Sequence, residues 1–278
     1  MLLSSPWIVA LLGLGVGVPL GFALERGGFC MNTAFRSVIF EKDKSVLRAY
    51  VLVLMINILG VALLEEFAVI FPMRPPFFWL AALVGGYVFG VGMVLAGGCS
   101  CGSYYRFGRG MVGSFLAVIG FAVAATITSV GFLAPVTDLL RRPVIDVYGE
   151  SATVLNVLGI EFGPLKWVVL GALLIAGAAW LAKSPKQRFV IGWNWKVTGV
   201  VIGVIALGAW VVSGLTMRDY GLSFTQPTVS AVQFITTGDN SGINWATFQL
   251  IGVPIGALVS SLIASEFSLR VPKAGRAA

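Results

Sequence analysis

Seven stretches of about 18–25 residues are apolar almost without interruption: Trp7–Leu24, Val46–Phe67, Phe77–Ala96, Gly110–Ala134, Leu165–Ala182, Trp195–Gly214 and Asn244–Ala264. Polar residues collect between them. A helix rises about 1.5 Å per residue, so about 20 residues cross a hydrocarbon core about 30 Å thick. Lipid offers no partner to a bare peptide group, so each run must close its own backbone hydrogen bonds as a helix. A barrel would need strict alternation of polar and apolar positions, which is not seen. The first run has no Lys or Arg before it and no A-x-A-like site after it, so it reads as a retained span and not as a cleaved leader. The pattern predicts an all-α polytopic membrane protein.

Composition agrees. Hydrophobic residues make up 58% of the chain and charged ones 11%, with a mean hydropathy of +0.93, too few charges for an ordinary water-exposed surface. The net charge of +7 would suggest nucleic acid in a soluble protein. Here it reports topology instead, because Lys and Arg fall mainly in alternate loops and resist translocation. One side holds Arg26, Arg36, Lys42, Lys44, Arg48, Arg106, Arg109, Lys183, Lys186, Arg188, Lys196, Arg270, Lys273 and Arg276, fourteen of the nineteen. The other holds Arg74, Arg141, Arg142, Lys166 and Arg218. The expected topology is therefore a multi-pass inner-membrane protein with its N-terminus outside and its C-terminus cytoplasmic. With no histidine, a His-ligated haem or zinc and a His general base are excluded. Three cysteines cannot make a zinc tetrad, and an odd number argues against a purely structural disulfide framework. No cofactor and no catalytic centre are expected.

The runs are related to one another. Gly21 through Cys30 superposes on Gly90 through Cys99 at a constant offset of 69, matching the first glycine, the Gly28/Gly97 position and the cysteine; Gly17 and Gly86 are also in register. A longer similarity sets Gly214 and Gly221-Leu222-Ser223 against Gly21 and Gly28-Phe29-Cys30, with serine in the third cysteine's place. Helix one runs inward and helix six outward, so the halves read as inverted repeats. The expected partition is a first transporter repeat over 1–134, an external loop and connecting span over 135–190, and a second repeat over 191–278. The second half is expected to be incomplete, because a counterpart of Cys99 would fall beyond Ala278. Gly13, Gly17, Gly86, Gly199, Gly203, Gly252 and Gly256 are assigned to close helix packing.

Two places carry candidate chemistry. Gly27-Gly28-Phe29-Cys30 precedes an apolar stretch too short to cross, Met31-Asn32-Thr33-Ala34-Phe35-Arg36, and Gly97-Gly98-Cys99 precedes Ser100-Cys101-Gly102-Ser103-Tyr104-Tyr105-Arg106. Each reads as a glycine break followed by a re-entrant half-helix, tolerable in a membrane only where it is buried in protein or lines a cavity. A half-helix aims free N–H groups and partial positive charge at its start, which favours an anion there. Gly28, Gly97, Gly98, Cys30 and Cys99 thus mark the site, while Cys101 lies outside the repeat register. Glu25, Arg26, Arg36 and Arg106 flank the breaks, either supplying field to the site or anchoring at the interface. Glu25 and Arg26 pair with each other or across the site. Glu65-Glu66 is expected at the interface, and the segment 135–163 as a loop without a recognisable motif.

At these motifs the chain resembles the YeeE/YedE-type sulfur transport proteins. The resemblance is carried by Glu25 through Arg36, Asn32 included, and by Leu95 through Gly110, and the order of spans agrees over the whole chain. It implies uptake of thiosulfate, with the anion passed between thiols by S–H···S hydrogen bonds at the waist of an hourglass-shaped protein. Cys30 and Cys99 would be two of the relay cysteines. A third lies in a later Gly-Gly-Cys motif in the family, which this sequence lacks. The resemblance also implies a small TusA-like sulfur carrier protein on the cytoplasmic side. Two other readings stay open: a membrane thiol oxidoreductase using Cys99 and Cys101, and transport of another sulfur oxyanion or a selenium compound. A non-transporting membrane subunit is a third.

Overall fold

The computed structural model describes residues 6–147, 150–151, 164–183, 192–216, 218 and 220–271. Its helices are α1 (Pro6–Gly27), α2 (Met31–Arg36), α3 (Ser45–Glu66), α4 (Trp79–Leu95), α5 (Ser100–Gly108), α6 (Val112–Ser129), α7 (Ala134–Arg141), α8 (Pro164–Ala182), α9 (Trp195–Leu215), α10 (Thr225–Thr237) and α11 (Trp245–Ile263). Among the described residues, seven helices are long and apolar enough to cross a membrane, and they fall on the seven predicted runs. A π-helical turn, Ser37–Glu41, extends α2, and a two-residue antiparallel pair, Asp146–Val147 with Glu150–Ser151, is the sheet among the described residues. The segment expected as loop from residue 135 begins instead inside α7, whose Pro135 sits in the first turn, where a missing N–H costs nothing.

The centre is a close contact between the first and last spans. A Cβ added at Gly13, Gly17 or Gly21 of α1 would strike the backbone carbonyl of Trp245, Gln249 or Val253 of α11, one partner per turn. The reverse holds as well: Gly252 and Gly256 lie on Gly17 and Val18. Since lipid gives helices no hydrophobic reason to associate, this approach of backbones supplies the packing that joins them. The rising register of contacts makes α1 and α11 parallel. In the same way Gly199 meets Leu52 and Gly203 meets Ile56, so α9 runs parallel to α3. A Cβ added at Gly86, expected to pack, meets nothing within 4 Å among the described residues, and none of the residues of α4 is buried. The repeat fixes its spacing but not its surroundings.

Contacts sort the cations to two faces. Where α1 and α11 end, Arg109 pairs with Glu25 at 3.4 Å and with Glu266 at 3.2 Å, and Arg26 approaches Glu266 at 3.9 Å. The opposite face carries Glu65 with Arg74 at 2.7 Å and Lys166 at 3.8 Å. Glu25 therefore pairs across the molecule and not with its neighbour Arg26; its side chain is 1% exposed and accepts a hydrogen bond from Ser260 Oγ at 2.5 Å. Neutralising the buried carboxylate weakens the Ser260 hydrogen bond and leaves Arg109 with Glu266 and some solvent. Glu25→Gln is accordingly expected to destabilise the fold by about 1–3 kcal/mol, read as a lower thermal midpoint of the detergent-solubilised protein. An unchanged midpoint would show that Glu25 is not a structural anion.

Candidate functional site

Both cysteine breaks are built by one device. At the end of α1, Gly28 takes φ +55, its N–H donates to the Glu25 carbonyl at 3.1 Å, and Phe29 N–H donates to the Leu24 carbonyl at 3.0 Å. At the end of α4, Gly97 takes φ +66, its N–H donates to Val94 O at 3.2 Å, and Gly98 N–H donates to Met93 O at 3.1 Å. This left-handed cap closes the orphan carbonyls of each helix, and glycine adopts it without a Cβ penalty. The chain then extends for one residue, Cys30 at φ −144 and Cys99 at φ −77, and each cysteine occupies the N-cap position of the next helix, α2 or α5. The two breaks thus set the two thiols as a pair.

The thiols meet. Cys30 Sγ and Cys99 Sγ are 3.4 Å apart, and Cys99 Sγ and Cys101 Sγ 3.2 Å. All three are free, Cys30 and Cys99 buried and Cys101 partly exposed. These separations are those of S–H···S contacts and well beyond the ~2.05 Å of a covalent bridge. Cys101, outside the repeat register, joins the file from the second position of α5, because the side chain of the N-cap residue Cys99 folds over the first turn of the helix that follows it. Room for Cys30 comes from Gly102, where an added Cβ would lie 2.5 Å from Cys30 Sγ and 3.4 Å from Cys99 Sγ. Aromatic walls close the site: Phe29 stacks on Tyr50 with centroids 3.9 Å apart, and Tyr104 and Tyr105 are buried in the same cluster.

The flanking arginines part company. Arg106 donates to the Gly97 carbonyl and, at 3.1 Å, to Thr33 Oγ1, which ties the second break to the helix after the first. Arg26 turns to Glu266, and Arg36 is exposed on the last turn of α2. Asn32 is partly exposed beside Thr33. Ser223, in register with Cys30, lies just before α10, and this segment reaches the site through Tyr104 Oη and Thr228 Oγ1 at 2.8 Å and through Tyr104 against Phe224, centroids 5.7 Å apart. Gly102, Thr33, Tyr50 and Thr228 were not singled out from sequence. Only Gly102 carried a signal, as the third glycine around a doubled cysteine. No group of His, Cys, Asp and Glu that could hold a metal occurs among the described residues.

Comparison with known proteins places the chain in a family. The chain is 31% identical to the thiosulfate transporter TsuA of Escherichia coli (strain K12) over 281 residues, covering 94% of this chain and 77% of that protein. It is 31% identical to the TsuA of Spirochaeta thermophila over 275 residues, covering 94% and 80%. A probable transporter YedE of Salmonella typhimurium matches at 29% over 182 residues, 64% of this chain and 42% of that protein. A family profile described as Sulphur transport matches residues 26–278, most of the chain and both cysteine breaks. The chain belongs to the sulphur transport family.

Proposed function

We propose that this protein is an inner-membrane transporter that takes up thiosulfate or a closely related sulfur anion, handing it along Cys101, Cys99 and Cys30. The observation that carries the reading is the file of three free thiols at 3.2 and 3.4 Å, set where two helices are interrupted inside the membrane. Thiosulfate is charged at a terminal sulfur as well as at its oxygens. A thiol can donate its proton to that sulfur in a soft, weakly hydrated hydrogen bond, and neighbouring thiols let the contact be exchanged without releasing the ion to lipid. No covalent bond need form and no electron moves. The start of α5 adds peptide N–H groups beside Cys99 and Cys101. The names of the two TsuA relatives support thiosulfate as the cargo.

Orientation follows the cation count: the face of Arg26, Arg109 and the exposed Lys42 and Lys44 is cytoplasmic. That face offers a cationic surface to a TusA-like sulfur carrier. The test is uptake of labelled thiosulfate by cells lacking other routes, with and without this chain. No gain in uptake by cells that hold the folded protein in the membrane would refute the reading. Trapping a Cys99–Cys101 disulfide that cycles with a quinone would assign the chain to thiol oxidation instead.

Gly102 gives a sharper local check. Gly102→Ala places a methyl against Cys30 Sγ, and neither the backbone of α5 nor the buried thiol has room to yield. Uptake is expected to fall by about tenfold or more while membrane insertion is kept. Normal uptake by this variant would mean that the Cys30–Cys99 contact is not on the path.

A further inference from the structure

The face opposite the cationic loops contains a cavity of about 1250 Å³ that the thiol file does not use. It is lined by the second half of α3 (Asn57), the end of α9 (Trp210), the residues before α10 (Ser223) and its start (Gln226), and two cations open into it, Arg141 from α7 and Arg218. Two of its walls, Val53 and Leu222, also pack against the cluster that buries Cys30 and Cys99, so one layer of side chains is shared by the cavity and the thiol site. Among the described residues no acidic side chain lines it.

Arg218 is held there. Its guanidinium donates to the carbonyls of Tyr220 at 3.1 Å and Gly221 at 2.9 Å and to Gln226 Oε1 at 3.1 Å, and it lies 5.5 Å over the ring of the fully buried Trp245. These partners are neutral, so none cancels the charge. Arg141 stands against Phe78, 5.9 Å from its centroid, and is solvent-exposed. The thirteen-residue helix α10 begins at this cavity, and its first N–H groups add to the positive end.

We propose that this cavity is a receiving chamber for a hydrated sulfur oxyanion dianion, held by Arg141, Arg218 and the start of α10 before it reaches the thiols. The proposal rests on the transport reading for its place in the path, while binding in the chamber is separable from transport. Two guanidinium groups facing one cavity attract any tetrahedral dianion and do not distinguish terminal sulfur from oxygen. Selection is therefore left to the thiols. Sulfate enters the chamber, competes with thiosulfate and is not passed on.

The test uses Trp210, whose indole lines the chamber. The full chain in detergent is titrated at constant ionic strength with sodium thiosulfate and with sodium sulfate, and tryptophan emission is followed, with Trp210→Phe assigning the signal. Both salts are expected to give a saturable change that Cys99→Ala leaves in place. Arg141→Gln is expected to raise the midpoint about tenfold and to raise the KM of uptake in liposomes more than it lowers the maximal rate. Arg218→Gln adds to this, but it also frees the Tyr220 and Gly221 carbonyls, so Arg141→Gln, which leaves that loop intact, is the deciding variant. An unchanged midpoint in Arg141→Gln, or no saturable change in the wild-type protein, overturns the chamber. Normal uptake by Cys99→Ala would overturn the thiol path and leave the chamber result standing.

Discussion

Cys99→Ala is expected to abolish thiosulfate uptake, by about a hundredfold or more, without loss of the protein from the membrane. Cys99 is the only thiol that touches both others, so its removal breaks the file into two isolated groups, Cys30 and Cys101. The substitution leaves the fold alone, because a methyl keeps part of the packing and deletes no strong hydrogen bond; thiols are weak donors. Serine is expected to rescue little, since its hydroxyl is harder, more strongly hydrated and less acidic than the thiol it replaces. Cys101→Ala should retain more uptake than Cys99→Ala, as it removes an end of the file and not its middle. The measurement is growth on thiosulfate as sole sulfur source beside labelled uptake, with membrane content checked by immunoblot. Wild-type growth of Cys99→Ala would end the thiol reading.

The largest effect on stability is expected at Gly21. Any side chain there meets the Val253 carbonyl of α11, and backbone cannot swing aside as a flexible side chain can. Gly21→Leu is expected to cost about 3 kcal/mol or more, enough to separate α1 from α11 and to leave little monodisperse protein on size exclusion. Gly90 is the residue in register with Gly21 one repeat later, yet among the described residues nothing lies within 4 Å of a Cβ added there, so Gly90→Leu should be tolerated. Equal losses for the two variants would show that the glycines act through helix propensity or through an unseen neighbour of α4.

That contrast shows what sequence could carry. The seven spans were legible because lipid forces one solution on about 20 apolar residues, and the two breaks were legible because a left-handed cap asks for glycine at a fixed place. The surroundings of a glycine are a different matter: Gly17 and Gly86 are alike in sequence, and only the folded chain separates the one against Gln249 from the one in the open. Cys101 stood outside the repeat and still joins the thiols, because the N-cap position of Cys99, not the register, sets its side chain against the first turn of α5. The Glu25 network was half visible. A charge beside a membrane break needs a partner, but Ser260 lies 235 positions away and no local pattern points to it. Likewise α7 is a short amphipathic helix in a polar segment, where a hydropathy pattern reads only loop.

The parallel contact of α1 with α11 also has a meaning for biosynthesis. The first span to enter the membrane has its partner among the last, roughly 230 residues later in the chain. At about 5–20 residues per second of synthesis, α1 waits on the order of 10–50 s with the Gly13, Gly17 and Gly21 face turned to lipid or to a temporary companion. A membrane chaperone or the insertion machinery itself is a natural holder for it. A cysteine pair introduced at positions 17 and 252 should therefore cross-link only in ribosome-bound chains long enough to release α11, and cross-linking of position 17 to the insertion machinery should disappear at the same length.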